Sequence, residues 1–505
     1  MLLRNAVVRG ASVLVSSAVG LLTTPLLVRL LGAEDFGLWL LIMSLEFYSG
    51  ALDLGLTTAL TKHLATFLGA GDRAGAARLA AAAACIYLAL TALVGLAYFS
   101  LSGWLPGLFN LTPDQAQRAR LVIMVLSLPV AASFLARSAE AVLLACERHH
   151  YLGLVEIAGN LLRLGMIAAL FAAQGGLLLL AAGYAAVNLC IHLLTGLGAW
   201  RAGRSWLRLR PRWRAEEALR LWSYVRQFAP AILGEVMRNH STAMLLGGLI
   251  GPLAVASFGV GSRIMMLSLV MLATALGVAM ARFAVISTRE AAESRQLLLR
   301  VSLHAGLVGG YMSLGIFLLA RPFIMLWVGP AFAESVDVAR VLALPLFAYI
   351  ATFPGVLLLQ GMGRLKVNSL VCLGEAGLAI GLIWLLARSH GPLGAALALA
   401  LAMLALRPWL IPWRAARLVR LPLWRLAVKA LARPGLAAAL AGGGFLLTPL
   451  AGLAPSWPGF ILQGAVYSAF FLAATWLVGL DHDARALWRD KTGAWLARLG
   501  RGGEA

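Results

Sequence analysis

The chain has 505 residues, 61% of them hydrophobic and 12% charged, with a mean hydropathy of +0.86, and this composition excludes a string of soluble domains. Its net charge of +21 would suggest a nucleic-acid ligand in a soluble protein, but the basic residues here flank apolar segments, so nucleic acid is not an expected partner. Cys85, Cys146, Cys190 and Cys372 stand singly, without the paired spacing of a disulfide frame or a zinc site.

Apolar segments follow one another at 10–31, 36–60, 79–102, 119–145, 153–173, 177–199, 227–249, 254–281, 301–320, 339–360, 368–387, 394–413, 435–453 and 459–480. Each approaches the roughly 20 residues that cross a hydrocarbon core of ~30 Å. They are too long and too uniformly apolar for barrel strands, and lipid leaves no partner for an unpaired backbone. The expected fold class is therefore an all-α polytopic membrane protein with 14 transmembrane helices. Arg4 and Arg9 before the first segment resemble the start of a signal peptide, but Arg29 and the lack of a small-residue cleavage pattern predict a retained helix.

An even number of crossings puts both termini on one side. If that side is the cytoplasm, it holds 30 of the 42 Lys and Arg residues, and the opposite side holds Arg321 and Arg388. The charge balance then reflects topology and contact with anionic membrane lipids. The longest loop, 200–226, is cytoplasmic on this map and interleaves Trp206, Trp213 and Trp222 with arginines, as an interfacial segment does.

Several landmarks recur in order. Gly32-Ala-Glu-Asp-Phe36-Gly37 is echoed by Gly251 through Phe258-Gly259, at offsets of 219 and 222. Trp104 is echoed by Trp327 at 223, and Pro129, Arg148 and Gly175 by Pro345, Arg364 and Gly391 at 216. This predicts two pseudo-symmetric six-helix lobes, 1–199 and 227–413, joined by the basic linker 200–226. A second basic linker, 414–434, leads to an extra helix pair and basic tail at 435–505.

Ionisable groups inside a membrane are costly, so they are expected to face a cavity or one another. Glu46, Ser49 and Asp53 follow i, i+3, i+7 on the second segment, and Glu156, Asn160 and Arg163 follow i, i+4, i+7 on the fifth. Arg137 and Glu140, and Glu235 and Arg238, are each three apart and suit either a ligand site or an internal salt bridge. Arg29 and Arg263 lack a local acidic partner and are the first candidates for holding an anion, since a guanidinium fork matches phosphate oxygens and keeps its charge. Asp53, Glu156 and Glu375, with Glu46, Glu140 and Glu235, are the candidate coupling or cavity acids. Arg118, Arg120, Arg282, Arg340 and Arg407 lie at segment ends and are expected to snorkel to the interface. Pro129 and Pro345 are either paired hinges or simple kinks. No catalytic group, metal site or cofactor is expected, and His149-His150 reads as a surface pair.

The stretch Pro25-Leu-Leu-Val-Arg29-Leu-Leu-Gly32-Ala-Glu-Asp-Phe-Gly37-Leu-Trp39, with Leu52-Asp53-Leu-Gly55-Leu56 and Leu326-Trp327-Val-Gly329, resembles the polysaccharide transporter (O-antigen flippase, Wzx-like) family of the MOP superfamily, which also contains MATE exporters. The resemblance implies two six-helix lobes around a central cavity and alternating access. It implies transport of an undecaprenyl-pyrophosphate-linked oligosaccharide across the bacterial cytoplasmic membrane by a monomer, alongside a glycan polymerase and glycosyltransferases. A MATE-like exporter of small cations is the close alternative. A membrane-embedded polymerase or ligase is less favoured, because the outer loops are short and the longest carries only Glu334 and Asp337.

Overall fold

The computed structural model describes residues 2–206, 213–286, 291–482 and 484–486. The central part of the basic linker, including Arg208, Arg210 and Arg212, and the tail from 487 lie outside the described residues. The helices are α1 (Leu2–Ala51), α2 (Leu56–Gly69), α3 (Arg73–Leu108), α4 (Pro113–Ala145), α5 (His149–Ala172), α6 (Leu177–Gly203), α7 (Ala215–Leu249) and α8 (Pro252–Ile286). They continue as α9 (Ala291–Trp327), α10 (Glu334–Gly361), α11 (Leu365–Ala405), α12 (Arg407–Leu418), α13 (Leu423–Ala427), α14 (Arg433–Leu446) and α15 (Trp457–Ala474).

Among the described residues, ten helical stretches are long and apolar enough to cross a membrane. Two of them, 11–69 and 366–418, each carry two of the apolar segments, and the seventh and thirteenth segments fall on α7 and α14. The protein is an all-α, multi-pass membrane protein. α1 spans two segments as two helices that meet at Gly32, whose φ of 76° lies in the left-handed region open to glycine. Helix starts follow local chemistry. Asp72 accepts from Gly75 N at 2.7 Å to start α3, Thr112 and Gln115 form a capping box on α4, and Ser456 caps α15.

The second apolar segment is not one helix to residue 60. α1 ends at Ala51, and Leu54 (φ 48°) and Gly55 (φ 85°) turn the chain before α2 begins. Asp53 therefore leaves the face shared by Glu46 and Ser49. It accepts from Thr57 N (3.2 Å), Thr57 Oγ1 (2.8 Å) and the Tyr87 hydroxyl (3.0 Å), tying the start of α2 to α3.

Two compact units emerge from the packing, residues 1–263 with 369–399, and residues 264–368 with 400–505. In the first, α3 packs on α4, α4 on α6 and α1 on α5. One end of this unit is cross-tied. Arg118 pairs with Asp35 at 3.0 Å, Gln115 donates to Glu34 at 3.0 Å, and Asn110 donates to Ile250 O at 3.1 Å. The backbones of the echoed turns meet there. A Cβ on Gly37 would lie 1.9 Å from Pro252 O, and one on Gly259 would lie 2.4 Å from Leu40 Cδ1, so each close approach depends on a missing side chain.

In the second unit, α14 and α15 dock on α9 around Tyr467, whose hydroxyl donates to Tyr311 O at 2.7 Å. Lys429 reaches Asp481 at 2.7 Å below this pair. Arg407 departs from the snorkelling expectation: it is buried and lies over the Tyr349 ring at 4.6 Å, where a cation finds an aromatic face instead of the interface.

Candidate functional site: a cavity lined by three arginines

Within the first unit, α1 presents Ser16, Gly20, Thr23 and Thr24 along one side, a stripe of small residues that leaves open space beside the helix. Facing residues of α1 beyond the kink, α4, α5, α6, α7 and α8 complete a cavity of about 630 Å³. Its charged lining is Glu46, Arg137, Arg163 and Arg263. A polar side pocket of about 380 Å³ shares Glu46, Gly50, Arg137 and Arg163 with the cavity and adds Glu140, Glu156, Asn188 and His192.

The three guanidinium groups are held differently. Arg163 donates to Asn188 Oδ1 at 2.6 Å and to Asn160 Oδ1 at 3.3 Å, with its cationic carbon 5.5 Å from the Tyr184 ring. Asn160 in turn donates to Ser16 Oγ at 2.7 Å, and Ser16 Oγ lies 3.3 Å from Glu156 Oε1, which links α1, α5 and α6. Arg137 extends toward Gly50, where an added Cβ would stand 2.9 Å from its Nη2. Arg263 extends toward Gly20, where an added Cβ would stand 2.6 Å from its Nη2. Glycine at both positions lets a guanidinium approach the α1 backbone.

Among the described residues none of these three arginines makes a salt bridge, and the Nε atoms of Arg137 and Arg163 are buried without a hydrogen-bond partner. Glu46 is the carboxylate on the cavity wall, acted on by Arg163 and Arg137 and by the Tyr184 hydroxyl. The cavity therefore carries a formal charge of +2. Its guanidinium donors suit an oxyanion with several oxygens.

The other sequence candidates lie elsewhere. Arg29 is exposed and is not among the cavity-lining residues. Arg238 on α7 is buried and reaches Glu375 on α11 at 3.0 Å, across 137 residues of sequence. Glu235 is exposed, and Asp53 caps α2. Pro129 and Pro345 are buried inside α4 and α10. Among the described residues no group of three or more His, Cys, Asp or Glu is placed to hold a metal ion. Tyr184, Asn188 and His192 are the additions made by the structure. Their i, i+4, i+8 spacing on α6 marks them as one polar face in an otherwise apolar segment.

No protein-family model matches the sequence, and no curated protein matches it. Solved structures do. The lipid II flippase MurJ in an inward closed conformation aligns with a TM-score of 0.71 at 13% identity, covering 93% of this chain and 98% of that one. An inward-facing multidrug resistance MATE family transporter of the MOP superfamily aligns with a TM-score of 0.68 at 16% identity, covering 82% and 99%. A MOP superfamily transporter from Pyrococcus furiosus, described as having a binding pocket of reverse polarity, aligns with a TM-score of 0.60 at 15% identity, covering 84% and 96%. The protein is thus a multi-pass membrane protein with the fold shared by the lipid II flippase MurJ and the MATE transporters of the MOP superfamily.

Proposed function

We propose that the protein is a flippase that moves an undecaprenyl-pyrophosphate-linked oligosaccharide across the cytoplasmic membrane by alternating access, for surface polysaccharide synthesis. The observation that carries this reading is the set of three arginines on one cavity, none of which makes a salt bridge among the described residues. An unpaired cation in a membrane interior costs free energy that an arriving dianion recovers. Arg137, Arg163 and Arg263 form the pyrophosphate cradle, whereas Arg238 is already neutralised by Glu375 and Arg29 stands outside the cavity. Ser16, Thr23 and Thr24, whose hydroxyls donate within the protein, offer acceptor oxygens to the first sugars. The likeness to MurJ supports a lipid-linked substrate.

The remaining parts of the proposal follow from the sequence map. Both termini face the cytoplasm, and six plus six plus two helices make the lobes and the extra pair. Glu46, Glu140 and Glu156 around the side pocket supply ion coupling, Pro129 and Pro345 flex, and the protein works as a monomer beside a polymerase and glycosyltransferases. The same acids favour the second reading, a MATE-like exporter of small cations, since they would attract a cationic substrate. Binding separates the two. Purified protein should retain undecaprenyl pyrophosphate in preference to a lipophilic cation such as ethidium, with retention lost in Arg137→Ala, Arg163→Ala and Arg263→Ala. Preference for the cation, lost in Glu46→Gln, would support the exporter.

A further inference from the structure

The second unit holds an apolar groove of about 410 Å³ that none of the transport chemistry uses. Its floor is Ala351, Thr352 and Gly355 of α10, and its walls are Trp409 and Trp413 of α12 and Leu426 of α13. α12 is two-faced: Ile411, Pro412, Ala415 and Ala416 are buried, while Trp409, Trp413 and Arg417 are exposed. The Trp409 indole is tethered by donation to Leu404 O at 3.0 Å.

The rim of the groove is cationic. Arg417 lies over the Trp413 ring at 4.4 Å, which puts a guanidinium on a groove-lining side chain. Arg425 lies over Trp424 at 5.4 Å, between the lining residues Leu423 and Leu426. Arg420 is exposed at the turn between α12 and α13, and the half-buried Arg414 has a buried Nε with no partner. No Asp or Glu occurs in the sequence from 376 to 480, so these arginines have no acid nearby in the chain to neutralise them. Tryptophan at the apolar edge, arginine beside it and an apolar groove between them is the chemistry of a lipid at the membrane interface.

We propose that this groove is a binding site for an anionic phospholipid, with one acyl chain lying between Trp409, Trp413 and Leu426 and the headgroup phosphate held by Arg417, Arg420 and Arg425. The site is independent of what the arginine cavity carries. Its occupant wedges α12 and α13 against α10 and fixes the linker that leads to the last helix pair.

Native mass spectrometry of the delipidated full-length protein, with phosphatidylglycerol or phosphatidylcholine added, tests the site. The wild type should retain phosphatidylglycerol over phosphatidylcholine, and each of Arg417→Gln, Arg420→Gln and Arg425→Gln should lower retention by about fivefold. Ala427→Trp, which fills the groove from an exposed position, should abolish retention while the arginines remain. Leu423→Arg serves the same purpose if Ala427→Trp lowers the yield of folded protein. Equal retention of the two lipids, or retention that falls with the arginines but ignores groove filling, would overturn the proposal. So would undecaprenyl phosphate displacing phosphatidylglycerol from the wild type at equal concentration, which would assign the groove to a transported lipid.

Discussion

Arg238 Nη1 on α7 stands 3.0 Å from Glu375 Oε2 on α11, with the carboxylate fully buried and the guanidinium nearly so. The Cβ that Gly234 lacks would touch the α11 backbone one turn away, 2.9 Å from Leu373 N, so the pair sits beside a close helix crossing. An ion pair this deep is costly to break from one side, because the remaining charge has no water to turn to. Glu375→Ala is expected to destabilise the folded protein by about 3–5 kcal/mol, whereas replacing both residues by Leu and Met should restore most of the loss. Thermal unfolding in detergent measures both. A single variant as stable as the wild type would remove the pair from the structural framework.

The approach of the two echoed turns predicts a conformational lock. With the four native cysteines replaced, cysteines at Leu40 and Gly259 should form a disulfide, since a Cβ at 259 would lie 3.8 Å from Leu40 Cγ, the position a cysteine sulfur takes. If alternating access separates these helices, oxidation should stop transport in proteoliposomes and reduction should restore it. Transport that continues at full rate in the cross-linked protein would mean that this end does not open.

Glycine at position 20 makes room for the Arg263 guanidinium. Gly20→Leu should push that group away from α1 and weaken pyrophosphate binding by about tenfold or more, the worth of one charge-assisted hydrogen bond. Gly20→Ala should be milder, because the arginine terminus is flexible and can give way. The two binding constants, measured against inorganic pyrophosphate, check the order.

Asp481, beyond the last apolar segment, is desolvated, which would raise its pKa. The hydrogen bond from Lys429, the donation from Ala484 N and the charge of Arg433 outweigh that and hold it below the ordinary aspartate value of 3.8. A carboxylate with a lowered pKa stabilises the fold at every pH above its unfolded value, and the contribution is lost as pH falls through the folded value. Acidification from pH 7 to 5 should therefore leave the docking of Leu480 and Ala484 intact, and loosening should begin below about pH 4. Limited proteolysis of the C-terminal region follows this, with Asp481→Asn showing the loosened pattern already at pH 7.

The multi-pass architecture was legible because a bilayer imposes it: each crossing demands an apolar run of a given length. The break within 36–60 was hidden for the same reason. Leu52-Asp53-Leu54-Gly55-Leu56 keeps the run apolar while two positive φ angles turn the chain. Of the cavity lining, Arg137, Arg163, Arg263 and Glu46 were readable as costly charges that need company. The partnership of Arg238 with Glu375 was not, since helical spacing points to Glu235 three residues away and nothing local points 137 residues ahead. The Tyr184, Asn188 and His192 face is written in the sequence, but amides and rings carry less weight than charges in a search for expensive burial. Arg407 reads as interfacial from its position, and the Tyr349 ring that holds it is visible in three dimensions alone.

The most direct measurement is the rate at which an undecaprenyl-pyrophosphate-linked oligosaccharide crosses the membrane of proteoliposomes containing the purified protein. The wild type should move it, Arg29→Ala should stay within about twofold of the wild type, and Arg137→Ala, Arg163→Ala and Arg263→Ala should each slow it by about tenfold or more while remaining folded. Unchanged transport in all three cavity variants, or no transport by the wild type, would contradict the assignment of the arginine cavity to a lipid pyrophosphate.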